Sequence, residues 1–245
     1  MRRLTGEDIV RVWEVGQDRD PLERAIVVLA AARLDGGADD LWRLSLGRRN
    51  TRLLDVHRLL FGDELSAFAE CPSCVMPLEF TVPVDALAGR ADLPAAADAA
   101  FDLTTGGYAV RFRLLDTADL RAAAAARDVD AARRVLVDRC ILAARHGGDV
   151  VAASELPAPV VTELASRLAE CDGGAETLID LTCPSCGWTS QAPLDVASFV
   201  YDELCVHARR LLRDVDALAR AYGWREADIL AMSARRRQHY LELVG

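Results

Sequence analysis

One tetrapeptide occurs twice in this chain of 245 residues: Cys71-Pro72-Ser73-Cys74 and Cys183-Pro184-Ser185-Cys186, with 109 positions between Cys74 and Cys183. No other feature restricts the fold as strongly. Two thiolates separated by two residues face one ion when the backbone between them makes a tight turn. Proline after the first cysteine fixes φ, and the small serine before the second avoids a clash. Gly187, directly after the second pair, can take the positive φ that turns backbone amides toward sulfur. Two such knuckles supply the four sulfurs of a tetrahedral zinc site. The expected ligands are therefore Cys71, Cys74, Cys183 and Cys186, around one structural Zn2+.

The flanks of the two knuckles match. Leu78-Glu79-Phe80-Thr81-Val82-Pro83-Val84-Asp85 alternates after the first, and Trp188-Thr189-Ser190-Gln191-Ala192-Pro193-Leu194-Asp195 follows the second. Leu178-Ile179-Asp180-Leu181-Thr182 alternates before it. Each unit reads as a β-hairpin, and two hairpins facing one another make a zinc ribbon. A compact ribbon has roughly 15–20 residues between its pairs, so a folded insert has to bring these two together. Two other readings remain open at this point: unrelated turns with free thiols, and a C-x-x-C redox pair. The redox pair lacks its usual strand-to-helix setting. Cys140, Cys171 and Cys205 read as packed thiols, and the odd total of seven rules out a fully paired disulfide set within one chain.

Elsewhere the pattern is mainly helical. Glu7 to Val15 is amphipathic, Asp20-Pro21 is a strong helix start, and Ala25 to Leu34 ends at Gly36-Gly37. A helix is expected from about Asn50 to Leu60. Residues 86–100 read as a surface loop. Thr105-Gly106-Gly107 turns a hairpin between Phe101-Asp102-Leu103 and Tyr108 to Leu114. Asp116-Thr117-Ala118-Asp119 starts a helix, another spans Asp130 to Arg145, and a third runs from Leu156-Pro157 to Cys171. Asp195 caps a long helix to Tyr222, and two short helices follow near 225–231 and 233–243, with Ser233 as a cap. The fold class is α+β, mainly helical, with two knuckle hairpins forming a split zinc ribbon and one further hairpin. No βαβ series is present. The expected organisation is one integrated unit: helices in 1–65, a knuckle hairpin in 66–86, a hairpin and helical insert in 101–172, the second knuckle in 177–195 and helices in 196–245. In this reading the metal ties the first third of the chain to the last.

Composition narrows the function. The net charge is −9, and the 29 cationic residues are all Arg, since the chain has no Lys. An acidic balance argues against a general nucleic-acid binder. No apolar run is long enough to span a membrane. Met1-Arg2-Arg3-Leu4 leads into Thr5-Gly6-Glu7-Asp8 without the apolar middle of a secretory signal, so a reducing cytoplasm is expected. G-x-S-x-G, the P-loop, H-E-x-x-H and G-x-G-x-x-G are all missing. The histidines His57, His146, His207 and His239 are scattered. Four thiolates saturate an ion and leave no position for a reacting water. The expectation is a protein that is not an enzyme.

The order of short motifs resembles a known family. Leu46-Gly47-Arg48-Arg49-Asn50, Leu53-Leu54 and Phe61-Gly62 lead into the first knuckle. Val110-Arg111-Phe112-Arg113-Leu114 with Asp119-Leu120 comes next, then the second knuckle with Gly187. The end carries Leu218-Ala219-Arg220-Ala221-Tyr222-Gly223-Trp224-Arg225-Glu226-Ala227-Asp228-Ile229-Leu230, then Arg235-Arg236 and Tyr240-Leu241. From about residue 20 onward this resembles the baseplate-associated proteins of contractile tails, the T4-type baseplate hub assembly family of myophages and phage-like contractile injection systems. The resemblance implies a structural or assembly role without enzymatic activity, and partners among baseplate, hub or tail proteins. It also implies a location in the bacterial host cytoplasm or in the particle. Tyr222, Trp224, Tyr240, Arg235, Arg236 and Arg237 have the composition of interface anchors, with local packing among the last helices as the competing reading. A zinc-ribbon accessory protein of nucleic acid or transcription is the alternative function, followed by a C-x-x-C thiol oxidoreductase.

Overall fold

The computed structural model describes residues 1–33, 41–87 and 99–244. In chain order the elements are α1 (Gly6–Gly16), α2 (Pro21–Ala31), α3 (Leu46–Phe61), β1 (Glu64–Glu70), β2 (Pro77–Pro83) and α4 (Val84–Leu87). Next come β3 (Ala100–Thr105), β4 (Tyr108–Arg113), α5 (Thr117–Ala124), α6 (Val129–Cys140), β5 (Ile141–His146), β6 (Asp149–Val150) and α7 (Ala158–Cys171). The last are β7 (Leu178–Thr182), β8 (Thr189–Pro193), α8 (Val196–Tyr222), α9 (Glu226–Leu230) and α10 (Ala234–Val244). The chain is α+β, more than half helical, with small antiparallel sheets.

Local chemistry sets most helix starts. Thr5 and Asp8 form a capping box on α1, Asp20 accepts from the Leu22 and Glu23 N–H groups, and Asp116 and Asp119 box α5. Asp195 caps α8 as expected, and Gly223 ends it at φ 68°. The start of α3 is different. It begins at Leu46, four residues before the expected Asn50, with a local and a distant residue both at its cap. Ser45 is a local cap, accepting from the Arg48 N–H at 3.3 Å, and the Asp172 carboxylate adds to it by accepting from the Gly47 N–H and the Ser45 hydroxyl.

Contacts gather the residues into two compact units. The first comprises Met1–Gly36, Leu53–Gly62 and Asp195–Gly245, and the second Gly37–Arg52 and Asp63–Leu194. In the first, α1, α2, α9 and α10 pack against α8, whose Val200, Leu204, Ala208, Leu211 and Leu218 are buried. At Gly16 a side chain would meet the Tyr201 ring, so the close approach of α1 and α8 requires glycine there. His57 is packed in this core, with Nε2 2.8 Å from a Glu203 carboxylate oxygen at an angle outside hydrogen-bond geometry.

The second unit holds a four-stranded sheet in the order β3-β4-β5-β6, and two separate two-stranded hairpins, β1-β2 and β7-β8. The hairpin expected around Gly106-Gly107 is present, but it is half of that larger sheet. The helix expected over Asp130–Arg145 stops at Cys140, and Ile141–His146 is a strand. Ala144 pairs with Val110 of β4 and joins it in a core with Leu156 and Val160. The open edge of β4 and the turn at Gly147-Gly148, both at positive φ, outweigh the helical propensity of Leu-Ala-Ala-Arg. Arg113 and Asp119 form a bidentate pair at 2.6 and 2.9 Å in this unit, joined by Arg139 at 2.7 Å. The expected helix stop at Gly36-Gly37 and most of the expected 86–100 loop lie outside the described residues.

Candidate metal centre

β1 and β2 pair in register from Glu64 opposite Pro83 to Glu70 opposite Pro77, which leaves Cys71–Met76 as the connecting turn. β7 and β8 pair from Leu178 opposite Pro193 to Thr182 opposite Thr189, which leaves Cys183–Trp188. The two turns carry the same backbone bonds. The Cys71 N–H donates to the Met76 carbonyl at 3.0 Å, and the Cys183 N–H to the Trp188 carbonyl at 2.9 Å. The Val75 N–H donates to the Cys71 carbonyl, and the Gly187 N–H to the Cys183 carbonyl, both at 2.9 Å. Val75 and Gly187 hold the same left-handed position, at φ 60° and 73°. Gly187 takes up the conformation expected of it, while at Val75 a β-branched residue does so.

The turns present their sulfurs to each other. Cys71 Sγ lies 3.7 Å from Cys186 Sγ, and Cys74 Sγ lies 3.6 Å from Cys183 Sγ. All four sulfurs fall within 4.8 Å of one another. None is in a disulfide. Four sulfurs at about 2.3 Å from one ion define a tetrahedron with edges of about 3.8 Å, so the cluster has the dimensions of a single-ion site. The first cysteine of each knuckle is buried and the second exposed. The cysteines all lie in the second unit, where they bring together one hairpin from the first third of the chain and one from the last.

The four thiols perturb one another's ionisation. At Cys183 the backbone N–H groups of Cys186 and Ser185 stabilise the thiolate and bring the thiol down to about 7. At Cys74 the Met76 backbone N–H favours the thiolate. The thiols of Cys186, Cys183 and Cys71 outweigh it and push the group up to about 12. One thiolate forms readily among four sulfurs and further ones repel it. A bound divalent cation removes that conflict, because it favours every thiolate at once.

Of the remaining cysteines, Cys140 is buried and Cys171 and Cys205 are half-buried. Cys140 donates to the Val137 carbonyl at 3.4 Å and is pushed up to about 11 by burial. Cys171 ends α7, and Cys205 lies on α8 with its pKa raised by burial. The candidate partner residues belong to the first unit. The Tyr222 and Trp224 rings stack at 4.4 Å, Tyr240 meets Trp224 edge-on at 4.8 Å, and the Arg236 guanidinium lies 5.7 Å from the Tyr240 ring. Arg235 and Arg236 are exposed. Arg237 is 7% exposed and donates to Asp214 at 3.0 Å, which engages its guanidinium within the chain. Sequence reasoning overlooked the exposed apolar side chains beside the thiols, Phe68, Val75, Met76 and Trp188. Their signal is the strand alternation itself, which places Phe68 on the face opposite Leu65 and Ala67.

Comparisons of the chain with protein-family models, with curated proteins and with solved structures return no match. No helix among the described residues is long and apolar enough to cross a membrane.

Proposed function

We propose that the protein is a non-enzymatic structural or assembly component of the baseplate or hub of a contractile phage tail or phage-like contractile injection system, stabilised by one structural zinc. The observation that carries the first half of this reading is the four-thiol cluster closed by two matched knuckles. Cys71, Cys74, Cys183 and Cys186 fill all four positions of a tetrahedral ion, so the metal holds two hairpins in a split zinc ribbon and has no open position for substrate or water. Four soft thiolates in a tetrahedral set suit zinc. The tail assignment rests on the motif order, from Leu46-Gly47-Arg48-Arg49-Asn50 to Tyr222-Gly223-Trp224.

Elemental analysis of the purified protein tests the metal. About one zinc per chain is expected, and Cys71→Ser or Cys183→Ser removes it; full stability without metal refutes it. Co-purification tests the role, with the tagged chain expressed from its intact gene cluster. Association with sheath, tube, spike or hub proteins upholds it. A cluster without such genes, or no association with their products, refutes it.

A further inference from the structure

The two knuckle hairpins are charged in one sense only. Every charged residue in 63–87 and in 176–195 is acidic; neither stretch contains Arg, Lys or His. Four thiolates on a divalent cation add a further net charge of −2 in the proposed zinc form. In contrast, 29 cationic residues occupy the rest of the chain. Apolar side chains stand exposed at this acidic end: Phe68 at 74%, Val75 at 67%, Trp188 at 53% and Met76 at 42%. Val75, Met76 and Trp188 each lie within two positions of a cluster cysteine. Phe68 points outward from β1, directly opposite Glu79, with Glu70 two positions along on the same face. Among the described residues, Glu70 and Glu79 form no ion pair.

We infer that this end of the second unit is a docking surface for a cationic segment of another protein that carries apolar anchors. Phe68, Met76 and Trp188 supply the apolar contact, and Glu70 and Glu79 supply the charge that selects Arg or Lys around it. Apolar side chains ringed by one sign of charge select a partner of matching pattern and opposite sign. Nucleic acid is disfavoured at the same surface, since its phosphates meet carboxylates. The inference builds on the zinc reading, because metal-closed knuckles hold the two turns side by side.

The three methionines, Met1, Met76 and Met232, allow a direct test. The full chain is prepared with isotope-labelled methionine methyl groups, and its zinc content is measured. Two helical peptides of equal length are titrated in, both with Leu at every third or fourth position. One carries Arg between the leucines and the other Glu. The Arg peptide is expected to shift Met76 while Met1 and Met232 stay fixed, with affinity falling about tenfold or more in Glu70→Arg/Glu79→Arg and at raised salt. Phe68→Ser weakens binding in a variant whose zinc content and unfolding are unchanged. The inference is overturned if the Glu peptide shifts Met76 as strongly, or if the charge-reversed variant binds the Arg peptide equally. A single-stranded oligonucleotide that shifts Met76 also overturns it. A Met76 shift that grows with protein concentration alone points to a second copy and overturns the assignment to another protein. A zinc-loaded sample without a Met76 response refutes the docking surface and leaves the metal intact. A zinc-free sample that responds refutes the metal and leaves the docking surface intact.

Discussion

The first and second knuckles reach the same geometry from different residues. Both close the turn with the same two backbone bonds, and both bury the first cysteine and expose the second. The residue after the second cysteine differs: Gly187 adopts φ 73° freely, whereas Val75 adopts φ 60° against the clash of its own Cβ. The strands differ too, with seven residues on each side of the first turn and five on each side of the second. The requirements shared by the two are therefore the cysteine spacing, the proline and the two bonds. The left-handed residue is needed for its conformation, and the first knuckle meets that need at the expense of local strain. The second knuckle is relaxed without help, while the first depends more on whatever fixes its sulfurs.

The largest test of this comparison removes a buried sulfur from each side. Cys71→Ser and Cys183→Ser are expected to lose the metal equally and to destabilise the second unit by several kcal/mol. Calorimetry and zinc analysis measure this. Unequal metal loss would show that one knuckle binds alone. Next in size is a control distant in sequence from both turns. Asp119→Ala removes the bidentate partner of the buried Arg113, which keeps only Asp116 at 3.6 Å and the Leu114 carbonyl, and should cost about 3 kcal/mol while zinc content stays at about one per chain. The Asp119 carboxyl is held at about 2, because hydrogen bonds from Arg113, the Asp116 N–H and Arg139 overcome the effect of burial. A depressed carboxylate pKa stabilises the fold above its unfolded value and loses that contribution as pH falls. This loss is expected between about pH 4 and pH 2. Metal loss precedes it, since thiolates take up protons at higher pH. Acid titration should thus resolve two steps, zinc release and then unfolding of the Asp119 region, and Cys71→Ser should abolish only the first.

The smaller effects probe the left-handed position itself. Gly187→Val should cost about 1–2 kcal/mol by imposing on the second knuckle the strain the first already carries. Val75→Gly should change stability by under about 1 kcal/mol, because relief of strain is offset by the greater freedom of glycine in the unfolded chain. Chemical denaturation of the zinc form measures both. The difference between the knuckles should be largest after metal removal, with Val75→Gly then more stabilising than in the zinc-bound protein.

Much of the local structure is legible in the sequence. Asp20-Pro21, Asp116 with Asp119, and Asp195 are short-range caps, and the helices start where those residues stand. The alternation around both C-P-S-C turns reads directly as two hairpins. Most of the misses involve a partner distant along the chain. At α3 the sequence reading passes over the local Ser45 cap, and the Asp172 carboxylate joins that cap from 125 positions away. The β4 edge converts Ile141–His146 from helix to strand. Asp214 draws Arg237 into a buried pair, where a run of three arginines reads as a solvated or partner-binding face.

The sequence by itself determined four ligand-type residues in two matched turns, because cysteine spacing, proline and a left-handed position act over six residues. It also determined the one-sided charge of those hairpins, which composition carries without any fold. Only the tertiary structure decided that the four sulfurs lie within 4.8 Å of one another and belong to one unit, and that the apolar side chains beside them stay exposed. Closing 109 positions between Cys74 and Cys183 depends on how the sheet and helices between them pack. No local propensity encodes that distance.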